Sequence, residues 1–487
     1  MRVLFVTTEA VPYAKTGGLA DVAGAIPKAL RRRHCDVRLI LPYFRPVREK
    51  LADQVLDTGI RFTVPVGSHT PTAAILSTTL PDADVPVYFV ANADYFDRED
   101  LYGTPTGDYP DNCERFVFFS RAVVQATLAL DWVPDVFHCN DWQTSLVPLY
   151  LKTLYAHAAP ARSRSLLTIH NLAYQGVFAA EAFALTGLGK EHFAIDGLEF
   201  YGKTNLLKGG LVHADVLSTV SSSYAKEIQT AEFGCGLEGV LSERAADLHG
   251  ILNGIDYSVW DPATDPLIPA NYTPADTSGK LACKRALQKH GGLPLSDAPL
   301  IGLISRLADQ KGLDLIADIM DELMALDVQF VLLGTGDEKY HKLFAKLGAQ
   351  YPTKFSANIM FDNALAHGIE AGADLFLMPS HYEPCGLNQL YSLRYGAVPV
   401  VRKTGGLADT ITNCTPSSMG KGTANGFSFQ SYSPRALLVT IVRALKLYSH
   451  PRHWQRLRRT GMEQDWSWDR SAGAYLALYA ALLARGA

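Results

Sequence analysis

The chain has 487 residues, 48% hydrophobic and 19% charged, which is too long for one ordinary core and points to two large domains or three small ones. Its 45 Lys+Arg against 49 Asp+Glu leave a net charge of −4. That argues against a general nucleic-acid or anionic-membrane surface, so an anionic ligand must be met by locally placed cations.

The N-terminal run MRVLFVTT is short, holds one Arg and passes directly into a Gly-rich loop, so it reads as a first buried strand rather than a signal peptide. No run of about 18 uncharged apolar residues follows anywhere, and no membrane span is expected. Further strand candidates are DVRLILP, VPVYFVA, DVFHC, SLLTIH and DVLSTV, then PLIGLIS, VQFVLLG, ANIMF, ADLFLMP and AVPVV. Apolar runs of this kind, separated by amphipathic helices, predict parallel sheets covered on both faces. Between the two groups, residues 256–280 are rich in Pro, Asp and Thr and read as a linker. The expected class is α/β, two doubly wound Rossmann-like halves. The expected division is 1–255, linker 256–280, 281–455, and final helices 456–487 crossing back to the first half. Seven cysteines, an odd number without metal-type spacing, fit reduced thiols in a cytoplasmic protein.

The heptapeptide KTGGLAD occurs twice, as Lys15–Asp21 and Lys403–Asp409, each time between a strand-like and a helix-like run. Such loops bring backbone N–H groups close to a ligand at a helix start that favours negative charge. Ligands in open α/β sheets sit at strand carboxyl ends, and the unusual polar clusters fall there, which predicts one cleft between two facing halves. In SRLADQKG, Arg306 and Lys311 could neutralise a diphosphate, Arg bidentately and Lys as a mobile point charge. In HYEPCGLNQ, Glu383 precedes a helix start whose N–H groups at Gly386, Leu387 and Asn388 form an anion site. Glu383 is there either a sugar contact or an ordinary helix-start acid. His170 and Asp141 end strands in the first half. Each has a bland alternative, a buried His bonded to backbone and a helix cap. No cluster of metal-ligand spacing is present in the sequence.

The motifs KTGGLADV, HNLAYQG, NGID, SRLADQKG and EPCGLNQLYSLRYGAVPVVRKTGGLADTI closely resemble, in order, those of bacterial and plant glycogen (starch) synthases. The resemblance implies the two-domain GT-B glycosyltransferase fold with a central cleft, ADP-glucose as donor and the non-reducing end of an α-1,4-glucan or glycogen primer as acceptor. It implies no metal and no pyridoxal phosphate. Residue by residue, Lys15 with Gly17 and Gly18 matches the loop near the donor phosphates, and Arg306 and Lys311 match the diphosphate-binding pair. Glu383 matches the glutamate at the transferred glucose, and Asp141 and His170 match residues that hold the glucosyl group. Asn253 of NGID, Gly386–Asn388, and Thr404 and Gly405 of the second KTGG loop fall on the donor side. Phe361 stands where an aromatic ring meets adenine. Tyr102, Asp111 and Asn112 resemble acceptor contacts, within a stretch that reads equally as an irregular surface connection. The roles of Lys403 and Cys385 stay open.

The resemblance also implies retention of the α configuration and no carboxylate nucleophile opposite the leaving group, which favours front-face transfer with the leaving diphosphate helping to deprotonate the incoming 4-hydroxyl. Competing readings are a UDP-glucose or disaccharide synthase, a pyridoxal-dependent phosphorylase, a dinucleotide oxidoreductase and a glucan-binding protein. The glycines do not follow G-x-G-x-x-G, which counts against the oxidoreductase.

Overall fold

A computed structural model describes residues 1–104 and 106–485. The chain divides into two compact units, Met1–Leu252 with the last helix from Trp468, and Asn253–Ser467.

Unit 1 is built on a nine-stranded sheet. Its strands are β1 (Arg2–Val6), β2 (Asp36–Pro42), β3 (Leu56–Thr63), β4 (Thr72–Thr79), β5 (Pro86–Ala91), β6 (Val136–Asn140), β7 (Arg164–Ile169), β8 (Val216–Thr219) and β9 (Leu248–Gly250). The order is β9-β8-β7-β6-β1-β2-β5-β4-β3. All neighbours are parallel up to β5, after which β4 and β3 pair antiparallel. Val3 to Val6 are all buried, as a strand covered on both faces requires. In β3 and β4 exposed and buried positions are mixed, and Leu56 is exposed. Those two strands, with β9, are absent from the sequence-predicted set. The last helix, Trp468–Ala484, belongs to unit 1, where Tyr479 OH lies 2.6 Å from His138 Nδ1 of β6 and Asp469 accepts from Arg32 of the helix Gly18–Arg32 at 3.0 Å.

Unit 2 carries six parallel strands, β10 (Leu300–Ile304), β11 (Gln329–Leu333), β12 (Phe355–Asn358), β13 (Leu375–Met378), β14 (Val398–Arg402) and β15 (Phe427–Phe429). Their order is β12-β11-β10-β13-β14-β15, the Rossmann order 3-2-1-4-5-6. β12 begins at Phe355, so the predicted run ANIMF straddles its end and Phe361 falls beyond it.

The expected linker 256–280 is counted within unit 2. Ile268 and Tyr272 are buried with Cys283, Tyr395 and Met462, and Tyr272 OH donates to the Tyr395 carbonyl at 2.7 Å. Of residues 456–487, the stretch 456–467 also stays in unit 2, because Leu457 and Met462 are core residues there. Pro- and Asp-rich composition marks an irregular backbone, and irregular backbone can still pack.

Candidate active site

Doubly wound sheets bind ligands where the strand order reverses. In unit 1 that point lies between β1 and β6, and in unit 2 between β10 and β13. The polar clusters of each unit gather at the carboxyl ends of these pairs.

After β1 the chain presents Thr8 and Glu9. The buried Glu9 carboxylate accepts hydrogen bonds from Thr16 N (2.6 Å), Thr16 Oγ1 (2.6 Å), Gly17 N (3.0 Å) and Tyr102 OH (3.0 Å). The same Tyr102 hydroxyl meets Thr8 Oγ1 at 2.7 Å, and burial beside Glu9 raises its pKa well above the ordinary phenol value. Glu9 therefore sets the shape of the first KTGG loop, in which residues 15–18 stay exposed and Gly18 opens the helix. Lys15 Nζ is held by both oxygens of Asp21, at 2.7 and 2.9 Å. Burial raises the Asp21 pKa and Lys15 opposes that shift.

Asn112 and Asp111 support this cluster from behind. Asn112 Nδ2 donates to the Tyr102 carbonyl at 2.8 Å and its Oδ1 accepts from the fully buried Arg115 at 2.7 Å. Asp111 takes a bidentate pair from Arg98. Both side chains are thus engaged in holding the 101–112 segment.

β6 ends in Asn140, and Asp141 follows at φ +55°, ψ −174°. An Asp in such a conformation costs about 1–3 kcal/mol and persists only where its surroundings fix it. Here its N–H donates to Thr168 O (2.9 Å) and its Oδ1 accepts from His170 N (2.7 Å). Burial pushes the Asp141 carboxyl up to about 7, against the His170 and Asn171 backbone bonds and with the Glu9 charge adding to the rise. His170 Nε2 lies 2.9 Å from Asn140 Oδ1, while Asn140 Nδ2 donates to Val6 O at 2.9 Å, so the Asn140 oxygen is the acceptor. Burial pushes His170 down to about 3, so its ring is neutral at ordinary pH.

In unit 2, Arg306 follows β10 and is exposed, and Lys311 lies in a tight turn. Lys311 Nζ donates to Glu383 Oε2 at 2.7 Å, and Ser380 Oγ donates to the same oxygen at 2.9 Å. Glu383 is only 5% exposed. Gly312, at φ +68°, sets this pairing, since a Cβ there would stand 2.1 Å from the Pro379 carbonyl. His381 N and Gln310 O (2.8 Å) tie the two loops together. The helix Asn388–Tyr395 starts beside them with Asn388 Nδ2 bonded to Ile304 O (2.6 Å), and Gly386 just before it sits at φ +73°. Asn253 is buried and its backbone bonds Cys385, whose thiol burial pushes up to about 12, which makes Cys385 a packing residue. Phe361 stands 84% exposed between β12 and the helix Asn363–Gly372.

The second KTGG copy behaves differently from the first. Thr404 and Gly405 are buried, and Gly406 N donates to Glu383 O (3.1 Å) and Pro384 O (3.2 Å). A Cβ at Gly405 would fall 2.0 Å from Glu383 O, and one at Gly406 2.0 Å from Cys385 O. This loop is a backing for the Glu383 segment.

Residues 2–243 match a family model described as the starch synthase catalytic domain, and residues 287–460 one described as glycosyl transferases group 1. The glycogen synthase of Geotalea uraniireducens (strain Rf4) is 47% identical over 500 residues, covering 100% of this chain and 99% of that protein. That of Syntrophotalea carbinolica is 49% identical over 482 residues, 98% of each. The chain belongs to the glycogen synthase family. The solved catalytic domain of starch synthase IV from Arabidopsis thaliana, bound to ADP and acarbose, superposes with a TM-score of 0.90 at 34% identity over 99% of both chains. A sucrose-phosphate synthase from Thermosynechococcus elongatus, 16% identical with a TM-score of 0.60, shares the fold.

As a glycogen synthase family member the chain is a glucosyltransferase on the two-domain α/β fold. Among the described residues no group of three or more His, Cys, Asp or Glu is placed to hold a metal, and no helix is long and apolar enough to cross a membrane. Sequence reasoning missed Glu9, Asn140, Ser380 and Gly406. Glu9 alone carried a signal, as the one acid in the loop between β1 and the first KTGG.

Proposed function

We propose that this glucosyltransferase moves glucose from ADP-glucose to the non-reducing 4-hydroxyl of an α-1,4-glucan such as glycogen, with retention of the α configuration and release of ADP. The observation that carries the reading is the Lys311–Glu383 pair at the β10/β13 switch point, with Arg306 on the same strand end. The ADP and acarbose held by the starch synthase IV relative support the choice of donor and acceptor. Arg306 and Lys311 neutralise the departing diphosphate, as preorganised cations do in transferring groups. The N–H groups of Gly386–Asn388 and of the Lys15–Gly18 loop share that charge.

In this reading the C1–phosphate bond breaks as the C1–O4 bond forms on the same face, and the 4-hydroxyl proton passes to a phosphate oxygen. Glu383 stabilises the oxocarbenium-like centre and its sugar hydroxyls. His170, neutral, and Asp141 hold the glucosyl hydroxyls, and Phe361 offers an exposed ring to adenine. Asn253, Thr404 and Gly405 act from behind, by fixing the Cys385–Gly386 and Glu383 segments. Tyr102 and Asn112 shape the acceptor side through the Glu9 network. A cytoplasmic setting belongs to the same proposal, supported by seven free cysteines.

The test is incorporation of labelled glucose into primer glycogen from ADP-glucose and UDP-glucose side by side, with the product's anomeric configuration read by NMR. Lys311→Ala and Glu383→Ala should each lower turnover at least about 10²-fold. Near wild-type turnover in both variants would sink the assignment of roles, and a preference for UDP-glucose would sink the donor.

A further inference from the structure

Behind the Asp141 turn, a chain of buried polar side chains runs across the sheet of unit 1 to the last helix. His138, two residues before Asn140 on β6, is 1% exposed. Its Nδ1 lies 2.6 Å from the Tyr479 hydroxyl of the helix Trp468–Ala484, and its Nε2 lies 2.7 Å from Thr168 Oγ1 of β7. Thr168 Oγ1 in turn meets Ser218 Oγ of β8 at 2.6 Å. Tyr479, Thr168 and Ser218 are fully buried. The Phe5 and Tyr475 rings pack against the imidazole, with centroids 4.5 and 5.1 Å away.

Filling the core does not require these groups. The neighbouring positions on the same strands are apolar and equally buried, as at Phe137, Cys139, Leu167 and Leu217. Burying polar groups is costly unless each is hydrogen-bonded, and apolar replacements of the same shape are often as stable. What a satisfied polar network adds is a unique, rigid arrangement. Burial holds the His138 pKa well below the ordinary value, with the nearby His170 adding to the fall, so the ring is neutral. A neutral imidazole has one donor and one acceptor nitrogen, which fixes both of its neighbours in direction.

Thr168 is where this chain meets the site. Its hydroxyl is held by His138 and Ser218, and its carbonyl accepts the Asp141 N–H at 2.9 Å. Asp141 stands at φ +55°, a conformation that persists only where its surroundings fix it. Asp141 Oδ1 also accepts from the N–H of His170, two residues after Thr168, at 2.7 Å. A displaced Thr168 would therefore carry both residues with it. The bland account is that the chain only pins the last helix to unit 1. Trp468, Tyr475 and Leu482 already bury that helix in the core, and the account gives no reason to extend the chain through Thr168 to Ser218.

We propose that Tyr479, His138, Thr168 and Ser218 form a positioning relay that holds the Asp141 turn, and His170 with it, in the geometry the transferred glucose requires. The inference rests on the reading above in which Asp141 and His170 hold the glucosyl group. The last helix thereby enters the reaction without touching substrate, because its hydroxyl fixes the ring that fixes Thr168.

The full-length enzyme is compared with Thr168→Val, which removes the hydroxyl, Thr168→Ser, which keeps it, and Tyr479→Phe, which leaves His138 Nδ1 without its partner. Turnover of ADP-glucose on glycogen, ADP affinity by calorimetry, and amide exchange across residues 138–145 by mass spectrometry are measured well below the unfolding temperature. Misplacing a substrate contact by about 1 Å can cost about 10²-fold. Thr168→Val should lose turnover about ten- to a hundredfold and Tyr479→Phe about three- to tenfold, while Thr168→Ser stays within about threefold of wild type. ADP affinity should be unchanged throughout, since ADP carries no glucosyl group, whereas general loosening of the fold would lower it. Exchange in the segment should rise about three- to tenfold in Thr168→Val, as expected for loss of roughly one hydrogen bond. If Thr168→Val does not fold, Tyr479→Phe is judged by the same readouts. Asp141→Asn is assayed alongside: wild-type turnover there would sink the glucosyl reading, and the exchange data, which involve no substrate, would still decide whether the relay holds the turn. Unchanged exchange in Thr168→Val, wild-type turnover in both Thr168→Val and Tyr479→Phe beside an impaired Asp141→Asn, or equal losses in Thr168→Ser and Thr168→Val would each overturn the proposal.

Discussion

Gly17 and Gly406 are the third and fourth residues of the two copies of one heptapeptide, and alanine should affect them in opposite ways. At Gly406 a Cβ would stand 2.0 Å from Cys385 O and 2.5 Å from Cys385 C and Cα. Relief requires the two segments to part by more than about 1 Å, an overpacking that costs about 1–3 kcal/mol. The same movement strains the one Gly406 N–H bond, shared between Glu383 O and Pro384 O and worth about 1 kcal/mol. The sum is about 2–4 kcal/mol, with loss of turnover because Glu383 is displaced. At Gly17 the backbone is extended at φ −149°, and nothing lies within 4 Å of the added methyl. Restricting the unfolded chain there is neutral to stabilising by up to about 1 kcal/mol. Gly17→Ala should therefore keep its stability and raise the KM for ADP-glucose, as the methyl enters the exposed loop. Urea unfolding of the two variants and wild type at one pH, with m-values compared, measures the difference. If the two free energies agree within about 0.5 kcal/mol, the assignment of one loop to ligand and the other to packing is refuted.

Glu9→Gln should destabilise unit 1 by about 1–3 kcal/mol and raise the donor KM, because an amide cannot accept all four of the bonds now made to the carboxylate. An unchanged KM with unchanged stability would contradict this. Of the seven cysteines only Cys235 is exposed, so one thiol should react quickly with an aromatic disulfide reagent and Cys235→Ser should abolish that phase. A fast phase traced to Cys385 would contradict its burial. Asp141 is raised from 3.8 to about 7 in the fold, so between those values the folded chain keeps a proton that the unfolded chain has released, and stability falls as pH rises through the window. Asp141→Asn should accordingly gain on wild type by on the order of 2–4 kcal/mol between pH 4 and pH 8, measured by urea midpoints at each pH, and an equal difference at both ends would exclude the shift.

The central parallel strands were legible because burial on both faces leaves continuous apolar runs, as in RVLFV of β1 and QFVLL of β11. β3 was not, since LDTGIRFT interleaves polar residues and a Gly at φ +76° in an antiparallel edge strand. The short β9 and β15 hold three residues each and carry too little pattern to register. Local chemistry pointed to Arg306 and Lys311, cations that suit an anion and follow a strand end, whereas Glu383 read equally as a helix-start acid until the family resemblance singled it out. Asn140 and Ser380 act through contacts made only when distant segments meet, as Asn140 does with Val6 and His170. The two KTGGLAD copies share a sequence but not an environment, since residues 15–18 are exposed while 404–407 are buried against the Glu383 segment. What differs is the surroundings: a buried carboxylate, Glu9, organises the first, and backbone carbonyls organise the second.

The two switch points also differ in charge, and the difference follows from burial. In unit 1 desolvation drives Asp141 up and His170 down, so both move toward their uncharged forms. Neutral donors and acceptors suit hydroxyl groups, which offer no charge to offset the burial of an ion. In unit 2 the buried Glu383 keeps an ionic partner in Lys311, whose side chain is 21% exposed. That exposure leaves Lys311 a compact, mobile cation with access to a second anion, whereas Glu383 also holds Ser380. A diphosphate arriving beside Arg306 would compete with Glu383 for the Lys311 ammonium. The carboxylate would then be less neutralised just as positive charge develops at the sugar. Lys311→Arg tests this coupling, because a planar fork cannot be shared in the same way. It should lose turnover while retaining ADP affinity, and full turnover in that variant would show that the pair serves only to balance charge.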